Sequence, residues 1–172
     1  MIVAGPGSGK TTVLAARIAY LVTSRGIAPT SVLAITFATK AARELRAHLA
    51  GMLGEQARAI DVATFHAFGL RIVRQWSEEL GFGPGPLAVY GKEEALKLLQ
   101  EAAERLDFDL EGRPLPDLVR SVERLRLGED ISPPEANGLK PLLGAYERLL
   151  RRRGAVDYPA MLALPLQRHA PS

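Results

Sequence analysis

The stretch A-G-P-G-S-G-K-T-T at residues 4–12 constrains this chain more than any other. Glycines at 5, 7 and 9 let successive backbone N–H groups curl toward one point, forming a nest that receives an anion. Lys10 adds a mobile positive charge there, and Thr11 adds a hydroxyl of the kind that ligates Mg²⁺. Behind the loop, Leu14, Ile18, Leu21 and Val22 recur at helical spacing, so residues 10–24 read as an amphipathic helix. A helix begun this way presents its positive N-terminus to the same anion. Gly5, Pro6, Gly7, Ser8, Gly9, Lys10, Thr11 and Thr12 are therefore the candidate phosphate cradle. Ahead of it stand only Met1, Ile2 and Val3, with Ala4 where the strict pattern G-x-x-x-x-G-K-[ST] has its first glycine. "MIVA" reads as the remnant of a strand.

A loop of this kind sits between a buried strand and a helix, and the next residues keep that alternation. "VLAITF" at 32–37 is a continuous apolar run with β-branched residues, the pattern of a strand covered on both faces of a parallel sheet. Ala41, Leu45, Leu49 and Met52 mark another helix, and "AIDVATF" at 59–65 another strand. Phe65, Phe68, Ile72 and Trp76 then predict a helix to about Leu80, with Phe68, Ile72 and Trp76 as core. Residues 1–80 thus read as an α/β layer built on a parallel sheet with right-handed crossovers.

The pattern changes at "GFGPGPLAVYG", residues 81–91, a Gly/Pro-rich boundary with no strong strand after it. Three helices follow, marked by Ala95, Leu99, Ala102 and Leu106, then Leu118, Val122 and Leu125, then Leu139, Leu142, Tyr146 and Leu149. "SPPE" at 132–135 predicts a helix start, with Ser132 as cap, Pro133 first in the helix and Glu135 reaching back. Residues 81–155 read as an all-helical module. "VDYPAML" at 156–162 begins one more helix in a final segment, 156–172.

Composition narrows the function classes. The chain has no cysteine, which removes disulfides, thiolate metal sites and cysteine nucleophiles and fits a reducing, cytoplasmic setting. No apolar run approaches the roughly 20 residues of a membrane span, and no basic-then-apolar leader is present, so no membrane partner is expected. Residues 1–80 carry nine Lys/Arg against five Asp/Glu, and the remainder thirteen against fourteen. The basic excess of the first half suits an anionic partner without requiring one.

The loop alone defines only the P-loop class, which spans small kinases, GTPases, transporter ATPases and helicases. Two further stretches choose among these: "AITFATKAARELRAHL" at 34–49 and "VATFHAFGLRIVR" at 62–74. In order and spacing, the three resemble successive motifs of the UvrD/Rep/PcrA-type superfamily 1 DNA helicases. "YERLLRRRGAVDYPAML" at 146–162 is similar to the segment that closes that family's inserted helical subdomain. The resemblance covers nearly the whole chain and implies a partial RecA-like P-loop sheet plus an all-helical insertion. It implies ATP and Mg²⁺ at the loop, with Lys10 and Thr11 as the catalytic contributions and Thr11 as the Mg²⁺ ligand. It also implies contact with single-stranded DNA and a duplex junction.

The residues suit those roles. Thr36 and Phe37 end one strand and Thr64, Phe65 and His66 end the next, at the carboxyl edge where ligands of open α/β sheets bind. An aromatic there is either a core residue or a platform for a base, and the resemblance favours DNA contact for Phe37 and Phe65. Lys40, Arg43 and Arg46 lie three apart on a helix face, either solvated or contacting phosphate; Lys40 belongs to the matched motif. Arg148 and Arg151, Arg152 and Arg153 read equally as a cationic helix end or as duplex contacts. Thr12 stands where the family commonly has Arg, and Thr39 where it has Asn.

The family's upstream glutamine motif and its D-E-x-x-D segment are not among these residues. The expectation is therefore an N-terminal fragment or shortened paralogue of a 3′-to-5′ helicase. It would bind ATP phosphates and single-stranded DNA, fail to turn over alone, and need a partner for the missing ATPase half. The rivals are a small P-loop kinase and a non-catalytic module that binds DNA or a regulatory partner.

Overall fold

The computed structural model describes residues 9–110 and 112–167. The "MIVA" strand and Gly5, Pro6, Gly7 and Ser8 of the loop lie outside them. In chain order the elements are α1 (Lys10–Thr23), β1 (Leu33–Thr36), α2 (Thr39–Leu53), β2 (Asp61–Thr64), α3 (Phe65–Gln75), β3 (Ala88–Tyr90), α4 (Lys92–Arg105), α5 (Leu115–Leu127), α6 (Pro133–Arg152), β4 (Ala155–Asp157) and α7 (Tyr158–Gln167). The architecture is mixed helix and strand with two small parallel sheets, β1–β2 and β3–β4. The chain divides into two compact units, Met1–Phe68 and Gly69–Ser172. Among the described residues no helix is long and apolar enough to cross a membrane.

In the first unit, α1 and α2 bury one face of the β1–β2 pair. Ala15, Ile18 and Val22 of α1, Ala42, Leu45 and Leu49 of α2, and Ala34, Ile60 and Val62 form its core. The helices stand where periodicity places them, and Ile18 and Val22 are buried on α1 as expected, but at its start Leu14 is 41% exposed and Ala15 is buried in its place. Small residues let the helix come close, and the larger neighbours flank the contact. β1 also departs from expectation, since Leu33 is exposed and only Ala34 is fully buried. Ala34 and Val62 are register partners on the covered face, whereas Leu33 points to the other face.

The second unit has two apolar clusters. Leu98, Leu99, Ala102 and Ala103 of α4 meet Leu118 and Val122 of α5 and Leu139, Leu142, Tyr146 and Leu149 of α6. Val73 of α3, Phe82, Leu87 and Val156 surround Ala160, Met161 and Leu164 of α7. The expected all-helical module over 81–155 needs correction, because β3 pairs in parallel with β4, with Val89 opposite Val156. Three residues are too few to show an alternating pattern, so neither strand was visible as one. The α3 helix ends at Gln75 rather than near Leu80; irregular turns follow up to Gly81, whose φ of 80° redirects the chain. Its buried positions are Gly69 and Val73, while Phe68, Ile72 and Trp76 are only half-buried. Pro133 opens α6 as expected, but Ser132 makes no side-chain cap. Pro134 has no N–H to offer it, and the Glu135 carboxylate accepts instead from Ser121 Oγ at 3.2 Å.

Gly69 permits an unusually close helix contact. A β-carbon there would lie 2.0 Å from the Met161 carbonyl oxygen. That carbonyl lacks its normal helical donor because the residue four places on is Pro165, which has no N–H. Glycine on α3 and proline on α7 thus make complementary local exceptions. Gly69→Ala is expected to cost roughly 1–3 kcal/mol or more, since the clash is with backbone; urea unfolding of the full chain measures it.

A buried polar group completes the second unit. Asp157, at the end of β4, accepts from Arg126 Nη1 at 2.7 and 2.8 Å and from the Tyr146 hydroxyl at 2.6 Å. Burial opposes the charge on Arg126, but the Asp157 carboxylate overrides it and holds the guanidinium above its ordinary pKa. Burial, and next the charge of Asp157, push the Tyr146 hydroxyl well above the tyrosine range. Glu123 on α5 is raised by the same two causes in the same order. Its proton is therefore held to higher pH in the folded state than in the unfolded chain, and stability falls as pH rises between those two values. Glu123→Gln is expected to raise the urea midpoint relative to wild type near neutrality and to leave it unchanged in strong acid.

Candidate nucleotide and nucleic-acid site

The parallel register places Leu33 opposite Asp61, Ala34 opposite Val62, Ile35 opposite Ala63 and Thr36 opposite Thr64. The two strands therefore end level, and the Thr-Phe pair that closes each is brought to one edge. The side chains there do not collapse into the core: Phe37 is 89% exposed and Phe65 is 52% exposed. For Phe37 the structure excludes the core alternative. Both residues present ring surface at the carboxyl edge of the sheet.

Helices start at the same edge. Thr64 Oγ1 accepts from the Ala67 N–H at 3.2 Å, capping the first turn of α3. Its register partner Thr36 does not cap; its hydroxyl donates to the Ala38 carbonyl at 3.2 Å and closes the turn into α2. Ala38 precedes α2 without a side-chain cap, so the N-cap residue itself leaves the first N–H groups of that helix unanswered. Lys40 is the second residue of α2 and is exposed; its ammonium lies 3.9 Å from Glu44. An exposed pair at that distance holds little energy, so Lys40 stays available to another anion. His66 is the second residue of α3 and is half-buried.

Arg46, grouped in sequence with Lys40 and Arg43, does something else. Its guanidinium donates to the Val62 carbonyl of β2. The Asp61 N–H is bonded to Val32, so Asp61 faces β1 and the Val62 carbonyl faces away from it. Arg46 therefore bonds the side of β2 away from β1, which no other strand pairs with among the described residues. Arg46 thus gives one of its guanidinium nitrogens, Nη2, to the strand carbonyl. Arg151 and Arg153 are engaged too: Arg151 Nε donates to the Leu80 carbonyl at 3.0 Å and Arg153 pairs with Glu101.

Of the glycine-rich loop, Gly9, Lys10, Thr11 and Thr12 are described. Gly9 has φ 72° and ψ 16°, a left-handed conformation that favours glycine, and its carbonyl accepts from the Val13 N–H at 3.0 Å. It forms the N-cap of α1, with no side-chain cap bond among the described residues and no acidic residue in the first turn. Lys10 and Thr12 are exposed and Thr11 is half-buried. A cationic helix start with Lys and Thr leading it fits a phosphate and the metal that accompanies one.

Residues 1–170 match the UvrD/REP helicase N-terminal domain. The chain is 33% identical over 174 residues to the ATP-dependent DNA helicase UvrD1 of Mycobacterium tuberculosis, covering 94% of this chain and 22% of that protein. It is 31% identical over 171 residues to the ATP-dependent DNA helicase PcrA of Staphylococcus epidermidis, covering 94% and 23%. A PcrA of Staphylococcus aureus reaches 47% identity over a shorter stretch of 81 residues, covering 47% and 11%. The chain thus spans about a fifth of the length of the relatives it matches along its whole extent.

Two substitutions separate fold from surface at this edge. Thr64→Ala removes the α3 cap and is expected to cost about 1 kcal/mol. Phe37→Ala, at an exposed position, is expected to stay within about 0.5 kcal/mol of wild type. Urea unfolding of both variants checks the pair.

Proposed function

The chain belongs to the UvrD/REP helicase N-terminal domain family, and on that premise we propose that it binds a nucleoside triphosphate and single-stranded DNA as the first part of a helicase ATPase core. Residues 1–80 are the partial P-loop, RecA-like portion, 81–155 the inserted helical subdomain, and 156–172 the start of the return to the core. The observation that supports the DNA reading is the Thr36–Thr64 register, which brings the ends of two strands, each followed by an exposed phenylalanine, to one sheet edge.

At that edge, Phe37 and Phe65 offer faces on which bases stack, at about 1–3 kcal/mol per base. Lys40, Thr36, Thr64 and His66 contact the backbone, which positions the strand without reading its sequence. Non-specific stacking with phosphate contact suits an activity that moves along DNA of any sequence. At the loop, Gly5, Pro6, Gly7, Ser8, Gly9, Lys10, Thr11 and Thr12 form the cradle. Lys10 neutralises terminal phosphate oxygens, and the Thr11 hydroxyl is the ligand this chain gives to Mg²⁺. When bound, the metal supplies charge neutralisation across the phosphates.

Hydrolysis needs more: an acidic residue to hold the metal, a positioned water and a second cation. The 172 residues contain no D-E-x-x-D segment. A partner, or further residues of a longer protein, would supply that half, and the chain by itself is a binding module. Its two sites are separable. In fluorescence anisotropy with a labelled oligothymidylate, affinity is expected to fall as salt rises. Phe37→Ala is expected to weaken it roughly five- to a hundred-fold. Lys10→Ala is expected to abolish binding of a fluorescent ATP analogue while leaving DNA affinity near wild type. DNA-stimulated ATP hydrolysis by the pure chain at helicase rates, or wild-type DNA affinity in Phe37→Ala, would overturn the reading.

A further inference from the structure

We propose that Asp157 is a coupling node: it makes the placement of α7 depend on α5 and α6, so that α7 opens only together with the helical bundle. The inference is independent of the nucleotide and DNA sites. It starts from the sequence of α7, Y-P-A-M-L-A-L-P-L-Q, which is apolar around nearly its whole circumference. Burial alone positions such a helix poorly. An amphipathic helix has one face to hide and loses energy when it rotates, whereas one that is apolar all round buries similar area in several rotations.

Asp157 supplies what the apolar surface lacks. Its Oδ1 accepts from the Ala160 N–H at 2.8 Å, capping the first turn of α7. The same carboxylate takes Arg126 Nη1 from α5 and the Tyr146 hydroxyl from α6. One side chain is thus bonded to three helices and stands at the last residue of β4. The chain of contacts continues outward. Arg126 Nε donates to Glu147 at 3.3 Å, Glu147 pairs with Arg151 at 3.6 Å, and Arg151 holds the Leu80 carbonyl.

Stability alone is a weak reason for this cluster. A buried ion pair recovers its desolvation cost only with every donor satisfied, and Arg126 Nη2 has no partner among the described residues. What the cluster does provide is direction. Hydrogen bonds from α5 and α6 converge on one carboxylate and fix its place, and the Ala160 N–H then favours the one setting of α7 that reaches it, much as a lone buried polar residue fixes register in a coiled coil.

The test is native-state hydrogen exchange on the full chain. In wild type, the amides of α5 and α7 are expected to share one opening reaction with one urea dependence. Asp157→Asn keeps a residue that caps a helix well but loses the charge that holds Arg126. The α7 amides are then expected to exchange about tenfold or more faster than those of α5. Leu142→Ala, a fully buried site in the same bundle, serves as control: both sets are expected to speed up together. If Asp157→Asn leaves α5 and α7 opening as one, or if Leu142→Ala separates them equally, the proposal fails. Should Asp157→Asn not fold, Tyr146→Phe removes one donor and keeps the ring. A separation of several-fold supports the node there, and none overturns it.

Discussion

The parallel pairing of β1 with β2 is the constraint on which the candidate site depends. With Thr36 opposite Thr64, two strands of equal length end at one level. Each then passes directly into a helix, so both Thr-Phe pairs and both helix starts meet at one edge. A slip of one residue would move each side chain of the slipped strand to the other face. Val62 would leave the core, and the edge would lose its symmetry of hydroxyl and ring. The core pairs Ala34 and Val62 under α1 and α2 hold that register, and Arg46 guards the far side of β2. Site geometry is here a by-product of core packing several residues away.

Close approach through small residues is the second recurring device. Ala15 and Ala42 are buried where α1 and α2 pack, and Gly69 is buried on α3. A small side chain at the centre of a contact shortens the distance between helices and leaves larger neighbours to flank it. At Gly69 the effect is greatest, because the opposing atom is a carbonyl oxygen that Pro165 deprives of its normal helical donor. Such a contact tolerates no added methyl group on one side and needs the proline on the other.

That device also explains which parts of the structure were legible in sequence. Helices α1, α2, α4, α5 and α6 follow from the spacing of large apolar residues, and β1 and β2 from apolar runs bounded by polar turns. The buried faces are less legible. Counting Leu, Ile and Phe misses contacts centred on Ala or Gly, so Leu14 reads as inward and is in fact exposed. The strands β3 and β4 escape because three residues cannot show a period. Of the site, the Thr-Phe repeats are visible in the letters, but their alignment is not, since register is a relation between residues 28 apart. Arg46 looked like its neighbours Lys40 and Arg43, and only its distance from a strand carbonyl distinguishes it. Arg126 and Asp157 lie 31 residues apart, with no local signal joining them.

Two modes of specification therefore coexist in the chain. The first unit relies on amphipathic helices over a sheet face, where burial itself selects the arrangement: any rotation of α1 or α2 exposes Ile18 or Leu45 and hides charge. The sequence of α7 carries little such asymmetry, and beside its close contact with Gly69 its setting draws on the Ala160 N–H bond to Asp157, which α5 and α6 hold in place. Hydrophobic burial is strong but indifferent to direction; a charged hydrogen bond adds less net energy and much more geometry. Where sequence pattern already encodes direction, the fold uses the former. Where an apolar helix must hold one rotation, it places a charge in the interior and surrounds it with donors. The carboxylate that Arg126 and Tyr146 hold in place is the acceptor for the Ala160 N–H, so another setting of α7 would leave that N–H without the cap the interior has prepared for it.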